Sequence, residues 1–282
     1  MSQPVVDLLK AGSQANLTNR HRRGNLIRLP SAGSLMVSGD IHGHRRNFER
    51  ITAYADLAHH PERHLVLQEI IHGGPQDVRG GCLSYQLLFD TVRLKNQFPD
   101  QVHLLMGNHD TAFISESEVV KDGREMNKAI VKALIHEFGE AWPQISSAIR
   151  EFLLSQPLAV RTENRIWVSH SLPADRLVER FDPQVMERPL RLDDCQKPGS
   201  AYILTWGRNM SQSLLERMGR VFDVDLFVVG HQPQPDGWHK TAPNLVILAS
   251  DHNHGCLLQI DLAESYTLDE LTRSIVPLSS IA

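Results

Sequence analysis

Short apolar runs recur along this chain, each ended by small or polar residues. They are Leu35-Met36-Val37, Leu65-Val66-Leu67, Val102 to Met106, Ile166-Trp167-Val168, Leu226 to Val229, Leu245 to Ala249 and Cys256 to Ile260. Runs of three to five residues, rich in β-branched side chains and bounded by Gly, Asn or Asp, predict buried strands. Helical spacing fills the intervals. Leu83, Leu87, Leu88 and Phe98 share a face, and Met126, Ile130, Ala133, Leu134 and Phe138 repeat at i, i+4, i+7 and i+8. Strands alternating with helices predict a layered α/β domain. Residues 112–156 form the longest stretch without a strand, a helical insertion that reads as a cap over one face of the domain. The domain is placed at residues 34–282. Residues 1–33, polar and carrying the cluster Arg20, His21, Arg22 and Arg23, read as a peripheral arm.

Composition narrows the chemistry. A net charge of −4 gives no global basic field, which argues against nucleic acid as a partner. No apolar run approaches the roughly 18 residues of a membrane span, so no membrane partner is expected. The first residues lack a basic segment followed by an apolar core. Cys82, Cys195 and Cys256 are odd in number and without a CxxC pair, which predicts neither a disulfide framework nor a zinc knuckle and fits a reducing, cytoplasmic setting. The unusual figure is 15 histidines. Several adjoin Asp, Asn or Gly, a pattern of metal ligands on loops that a solvated surface histidine does not need.

The polar residues fall at the ends of the strands. Leu35 to Ser38 runs into Gly39-Asp40-Ile41-His42-Gly43-His44, where Asp40 and His42 are two apart and project to one side. By itself the string also suits an Asp that caps the next helix. Val102 to Met106 runs into Gly107-Asn108-His109-Asp110, which places an amide ligand at a second strand end. Two more strands end in His170 and in Gly230-His231. A single strand ending in His is commonly a core histidine bonded to backbone. Four strand ends delivering Asp/His, Asn/His, His and His point instead to a metal centre at the carboxyl edge of a sheet.

In order and spacing these strings resemble the calcineurin-like metallophosphoesterases, and within them the phosphoprotein phosphatases. Gly230-His231-Gln232-Pro233 lacks the second His of a GHxH motif. Arg79-Gly80 through Ser84, Leu87-Leu88, Lys95, Phe98-Pro99 and Leu104-Leu105 to His109 is similar to that branch's DRGxxS…LK…P…LLRGNHE stretch. Ser250-Asp251-His252-Asn253-His254-Gly255 stands where the branch has a loop beside the substrate, so His252 and His254 count as accessory positions. The resemblance implies an α/β/β/α sandwich and two divalent cations, Mn, Fe, Zn or Ni with Mn favoured. Asp40, His42 and an acid near position 69 would hold the first, and that acid with Asn108, His170 and His231 the second. It further implies a metal-bridging hydroxide as nucleophile, His109 oriented by Asp110 to protonate the leaving group or steady the charge on it, and Arg208 as a phosphate clamp. The partner is then a phosphate ester, either a phosphoprotein or a small phosphorylated molecule.

The chain departs from the pattern at the bridging acid. Where a GDxxDRG motif should stand, the strand continues as Gln68-Glu69-Ile70-Ile71-His72-Gly73-Gly74-Pro75-Gln76-Asp77-Val78-Arg79-Gly80. Alignment on the strand puts Glu69 at the bridge, with His72 accessory. Asp77 is the alternative, and Arg79 a second candidate for phosphate. The Arg before GNHE is Met106 here. These losses motivate a rival, a catalytically silent phosphate-binding module. A dinucleoside polyphosphate hydrolase would share all the metal chemistry and differ only in its pocket.

Overall fold

The protein is described from a computed structural model covering all residues except Met1, Asp122, Ala242 and Ala282. The chain runs α1 (Ser2–Leu17), β1 (Arg22–Arg23), β2 (Leu26–Leu29), β3 (Ser34–Asp40), α2 (Arg45–Ala55), β4 (Arg63–Gln68), α3 (Ser84–Gln97), β5 (Val102–Leu105) and α4 (Asn108–Ile114). A small hairpin, β6 (Val120–Lys121) with β7 (Arg124–Glu125), leads into α5 (Met126–Phe138) and α6 (Trp142–Leu154). Then come β8 (Ala159–Thr162), β9 (Ile166–Ser169), α7 (Leu192–Cys195), α8 (Ser200–Thr205), α9 (Gln212–Phe222) and β10 (Leu226–Val229). The chain closes with β11 (Trp238–Thr241), β12 (Leu245–Leu248), β13 (Cys256–Asp261), α10 (Leu268–Arg273) and β14 (Ile275–Pro277).

Two sheets stack face to face, in strand orders β1-β2-β8-β9-β10-β12-β11 and β14-β13-β3-β4-β5. Period-2 alternation explains the layering. One set of strand residues (Leu35, Val37, Val66, Leu105 facing Val168, Val228, Val246, Leu248) is buried between the sheets. Their sequence neighbours Met36, Leu65, Leu67, Leu104, Trp167, Phe227 and Ile247 are buried under helices. The α/β/β/α sandwich expected from the sequence is therefore the architecture observed. All seven apolar runs singled out in the sequence are strands, and both periodic stretches are helices.

Two expectations are corrected. Residues 1–33 are not a peripheral arm. Helix α1 packs on α3 and α6 with Val6 and Leu9 buried, and β2 pairs in parallel with β8. Arg22, one of the basic cluster assigned to that arm, reaches inward to donate to the carbonyls of Asn16 and Ser155. Residues 112–156 are mostly outer helix layer rather than a cap: α6 packs on α1, α4 and α5. The β6–β7 hairpin and the start of α5 turn toward the carboxyl ends of β3, β4 and β5.

At that end the sheets meet. Asp40 and Ala249 form an isolated parallel bridge, and the Ser250 N–H donates to the Asp40 carbonyl. The carboxyl ends of β3, β4, β5, β9 and β10 consequently open onto one shared edge, the place where ligands collect in α/β sheets.

Candidate metal centre

Each strand end delivers its residues through a sharp turn. Of the eight non-glycine residues with positive φ among the described residues, four are His42, Glu69, His72 and His231. Each such conformation costs on the order of 1–3 kcal/mol, and strain of this kind gathers at functional sites. The glycines preceding the ligands serve a spatial purpose. A Cβ on Gly107 would stand 2.4 Å from Glu69 Oε1, and one on Gly230 would stand 2.4 Å from Asp40 Oδ1. The bare backbone is what lets both carboxylates turn inward.

His170 Nε2 lies 2.9 Å from Asn108 Oδ1, 3.1 Å from Glu69 Oε2 and 3.1 Å from His231 Nδ1. His231 Nδ1 lies 2.8 Å from the same Asn108 oxygen. Four polar side-chain atoms from four strand ends thus converge within hydrogen-bond distance of one another. Ligands about 2.1 Å from a common cation stand roughly 3 Å apart at right angles, which is the spacing found. The other imidazole nitrogens, His170 Nδ1 and His231 Nε2, are buried without a hydrogen-bond partner. On the neighbouring side His42 Nε2 approaches Asp40 Oδ2 at 3.6 Å, and its Nδ1 is fixed by the Ile71 carbonyl at 3.1 Å. Asp40, Glu69 and His170 bring ligand atoms within 4.8 Å of one another, as do His42, Glu69 and His109, so Glu69 is common to both groups. The residues fit a pair of cations sharing one carboxylate.

Electrostatics agree with that fit. Burial pushes Asp40 up to about 6, opposed by His170 and reinforced by Glu69. Burial likewise raises Glu69, although N–H groups at the start of α4 pull it back, the His109 N–H donating to Oε1 at 3.1 Å. Asp110 is raised by burial and then by Glu69. His42, His109 and His231 are all held well below their ordinary value, first by burial and then by neighbouring cationic groups. Neutral imidazoles beside carboxylates that resist ionising form a donor set lacking positive charge.

The remaining sequence candidates divide. His109 Nδ1 meets His72 Nδ1 at 2.8 Å, so the partner of His109 is His72. Asp110, expected to orient His109, instead accepts the Gly107 N–H at 2.9 Å and caps α4. Asp77 lies apart, accepting the Arg79 and Gly81 N–H groups in a turn and facing His136 of α5 at 3.4 Å. Arg79 is exposed on that turn. His252 bonds the Gln234 carbonyl at 2.9 Å, and the His254 N–H donates to His252, so both brace the loop after β12. Arg208 is exposed, near enough that its charge helps depress His109, His170 and His231 after burial has done most. Not all the histidines gather here: His64 and His103 form a buried pair at 3.2 Å near the opposite ends of β4 and β5.

Lys121 was missed by the sequence reading. Carried by the β6–β7 hairpin, it pairs with Asp251 at 3.5 Å. Its charge reaches Glu69, His42, His72 and His109. Only the loss of the Arg before Gly107, where Met106 stands, hinted that a cation had to arrive from elsewhere.

With this geometry in hand, comparison with known proteins is informative. The family model described as Calcineurin-like phosphoesterase matches residues 33–254. A serine/threonine-protein phosphatase of Caenorhabditis elegans is 23% identical over 236 residues, covering 79% of this chain and 48% of the relative. The chain therefore spans about half the length of that curated relative. A Saccharomyces cerevisiae protein serine/threonine phosphatase with similarity to human phosphatase PP5 superposes with a TM-score of 0.71 at 13% identity, covering 99% of this chain and 93% of the other. The cold-active protein-tyrosine phosphatase of a psychrophilic Shewanella superposes at 0.55 with 16% identity, covering 84% of this chain and 77% of the other. These likenesses to solved structures concern the fold.

Proposed function

From a chain that belongs to the calcineurin-like phosphoesterase family, we propose a dinuclear metal-dependent phosphomonoesterase of the protein Ser/Thr phosphatase type. The observation that carries this reading is the convergence of Glu69, Asn108, His170 and His231 at about 3 Å spacings. Asp40, His42 and Glu69 would hold one cation and Glu69, Asn108, His170 and His231 the other, with Mn, Fe, Zn or Ni suited to mixed nitrogen and oxygen donors and Mn the favoured choice. When bound, the pair supplies Lewis acidity and a water acidic enough to act as nucleophile near neutral pH.

The chain's own groups do the rest. His72 holds the His109 ring at Nδ1, which leaves Nε2 to donate a hydrogen bond that steadies the charge on the leaving oxygen. Arg208 on one side and Lys121 on the other receive the phosphoryl oxygens, Arg208 through its planar fork and Lys121 as a point charge braced by Asp251. Three buried thiols, unpaired, support a reducing and cytoplasmic setting.

The test is hydrolysis of an aryl phosphate by purified protein supplied with Mn²⁺, with loss on chelation and return on re-addition. Absence of metal-dependent turnover across several phosphate esters would sink the proposal and favour the silent module.

A further inference from the structure

Two neutral imidazoles that meet nitrogen to nitrogen, as His72 Nδ1 and His109 Nδ1 do at 2.8 Å, share one proton. Which ring owns it depends on what stands beyond His72. That residue is fully buried in the loop after β4, where its backbone N–H donates to Ser84 Oγ at 2.9 Å. Its far nitrogen, Nε2, has no hydrogen-bond partner among the described residues, and neither has Asn127 Oδ1 in the first turn of α5. Both atoms are shut off from solvent. They face each other slightly outside aligned hydrogen-bond geometry, close enough that burial, His109 and Lys121 lower His72 while the Asn127 side chain raises it.

The amide of Asn127 cannot be turned round. Its Nδ2 donates to the Ala112 carbonyl at 3.1 Å and to the Ser117 carbonyl at 2.7 Å, and both of those oxygens can only accept. Its backbone N–H is pinned by Glu118 Oε1 at 2.9 Å. Oδ1 is therefore the atom presented to His72, and an amide oxygen too can only accept. The proton on His72 consequently lies at Nε2, its Nδ1 is bare, and the shared proton belongs to His109 Nδ1. A buried polar atom left unsatisfied costs about 1–3 kcal/mol, and a slight closing of this contact satisfies two of them at once. A staple between α4 and α5 would need only the Nδ2 bonds.

Resting on the phosphatase reading above, we propose that Asn127 is a positioning residue for His109, acting through His72. The order of groups is His109 Nδ1–H to His72 Nδ1, then His72 Nε2–H to Asn127 Oδ1. It fixes the plane of the His109 ring, which stands edge-on to His42 at a centroid distance of 4.9 Å, and turns its Nε2 into the site. When Nε2 donates to the leaving oxygen, His109 carries a proton on both nitrogens, and the bare Nδ1 of His72 shares that charge. The helical stretch beyond α4 thus reaches the reacting centre through one side chain.

The experiment reads the histidine tautomers directly, by ¹⁵N NMR of labelled protein supplied with diamagnetic Zn²⁺, alongside kcat and KM on an aryl phosphate with Mn²⁺. In the parent protein His72 should carry its proton on Nε2 and His109 on Nδ1, a result that needs no variant to fold. Asn127→Leu should let the His72 proton move to Nδ1 and lower kcat roughly tenfold or more with KM nearly unchanged. Asn127→Asp keeps an oxygen at His72 but loses both amide donors, so it should hold the parent tautomer and recover most of the rate. A parent His72 protonated on Nδ1, tautomers unmoved by Asn127→Leu, or equal losses of kcat in the two variants overturns the proposal, the last leaving Asn127 a staple. If the tautomers respond as expected while no ester is turned over, the hydrogen-bond order stands and the phosphatase reading fails.

Discussion

Replacing Gly107 by Ala probes the centre without touching a ligand. The added Cβ would lie 2.4 Å from Glu69 Oε1 and 2.6 Å from its carboxyl carbon, whereas ordinary contact begins at 3.4 Å. The backbone at residue 107 is pinned, its N–H bonded to Asp110 at 2.9 Å and its carbonyl to the Thr111 N–H at 3.1 Å. The carboxylate must therefore retreat by about 1 Å, away from the His109 N–H and His170 Nε2, each now 3.1 Å from it. Forcing atoms into a packed core costs about 1–3 kcal/mol, which in a chain of this size lowers Tm by a few degrees. A displacement of about 1 Å in a positioned group costs roughly 10²-fold in rate. The assay is kcat/KM on an aryl phosphate with Mn²⁺, alongside the metal content of the purified variant. Since the effect passes through Glu69, Gly107→Ala should add little to the loss already caused by Glu69→Ala. Full additivity, or a Gly107→Ala rate within threefold of the parent, would refute the placement of Glu69 at the heart of the site.

The other expectations concern metal linkage, the histidine pair and the amino-terminal helix. Asp40, raised to about 6, and Glu69, also raised, hold protons in the metal-free folded state that the unfolded chain has released, so that state loses stability as pH climbs through the raised values. Cation binding requires both to ionise, and each displaced proton is worth about 1.4 kcal/mol per pH unit. The rise in Tm on adding Mn²⁺ should accordingly be several degrees larger at pH 8 than at pH 6, and equal shifts would remove proton release from the account. His72→Leu should lower kcat by roughly 10–10³-fold with KM nearly unchanged, while His72→Asn, which retains an acceptor for His109, recovers much of it; matching losses in both variants would make His72 a packing residue only. Leu9→Ala, a deletion at a fully buried position of α1, should cost about 2–5 kcal/mol in denaturant unfolding, whereas a near-neutral result would return the first 33 residues to the standing of an arm.

What could be read from the sequence, and what could not, follows from range. The strand ends were visible because apolar runs and turn residues are local signals, and Asp40, His42, Asn108, His170 and His231 each sit directly beyond such a run. Glu69 was readable because side-chain direction follows strand position, so counting from Leu67 located it where counting from Arg79-Gly80 did not. Helix α1 was hidden by its polar surface and by Gly12, a residue that lowers helix propensity by about 1 kcal/mol relative to Ala. Its reason is a packing one: a Cβ there would stand 2.6 Å from Val92 Cγ1 and 2.9 Å from the Phe152 ring. The assignment of Asp110 had a local correction available, since an acid three residues after an N-cap is the mark of a capping box. The pairing of His72 with His109 and the arrival of Lys121 depend on where a loop and a hairpin fold over the strand ends, and no spacing in the chain encodes that.

The same geometry bears on the choice between a phosphatase and a module that merely binds phosphate. Asp40, Glu69 and Asp110 are buried within one cluster, and the imidazoles around them are held neutral. Ionised, the carboxylates present a negative field to anything entering the site. Arg208 and Lys121 approach from the rim, and Lys121 already shares its charge with Asp251. A phosphate dianion brought there without further positive charge would face repulsion at short range in a medium of low dielectric. Two cations held there would reverse that sign, relieve the desolvated carboxylates, and occupy the lone pairs of Asn108, His170 and His231 together. The strained φ values at His42, Glu69 and His231 gather at the same edge, where such strain is characteristic of functional sites. On the reading proposed above, phosphate recognition at this edge would require the metals, and His109, Arg208 and Lys121 would stand beside the bound ester.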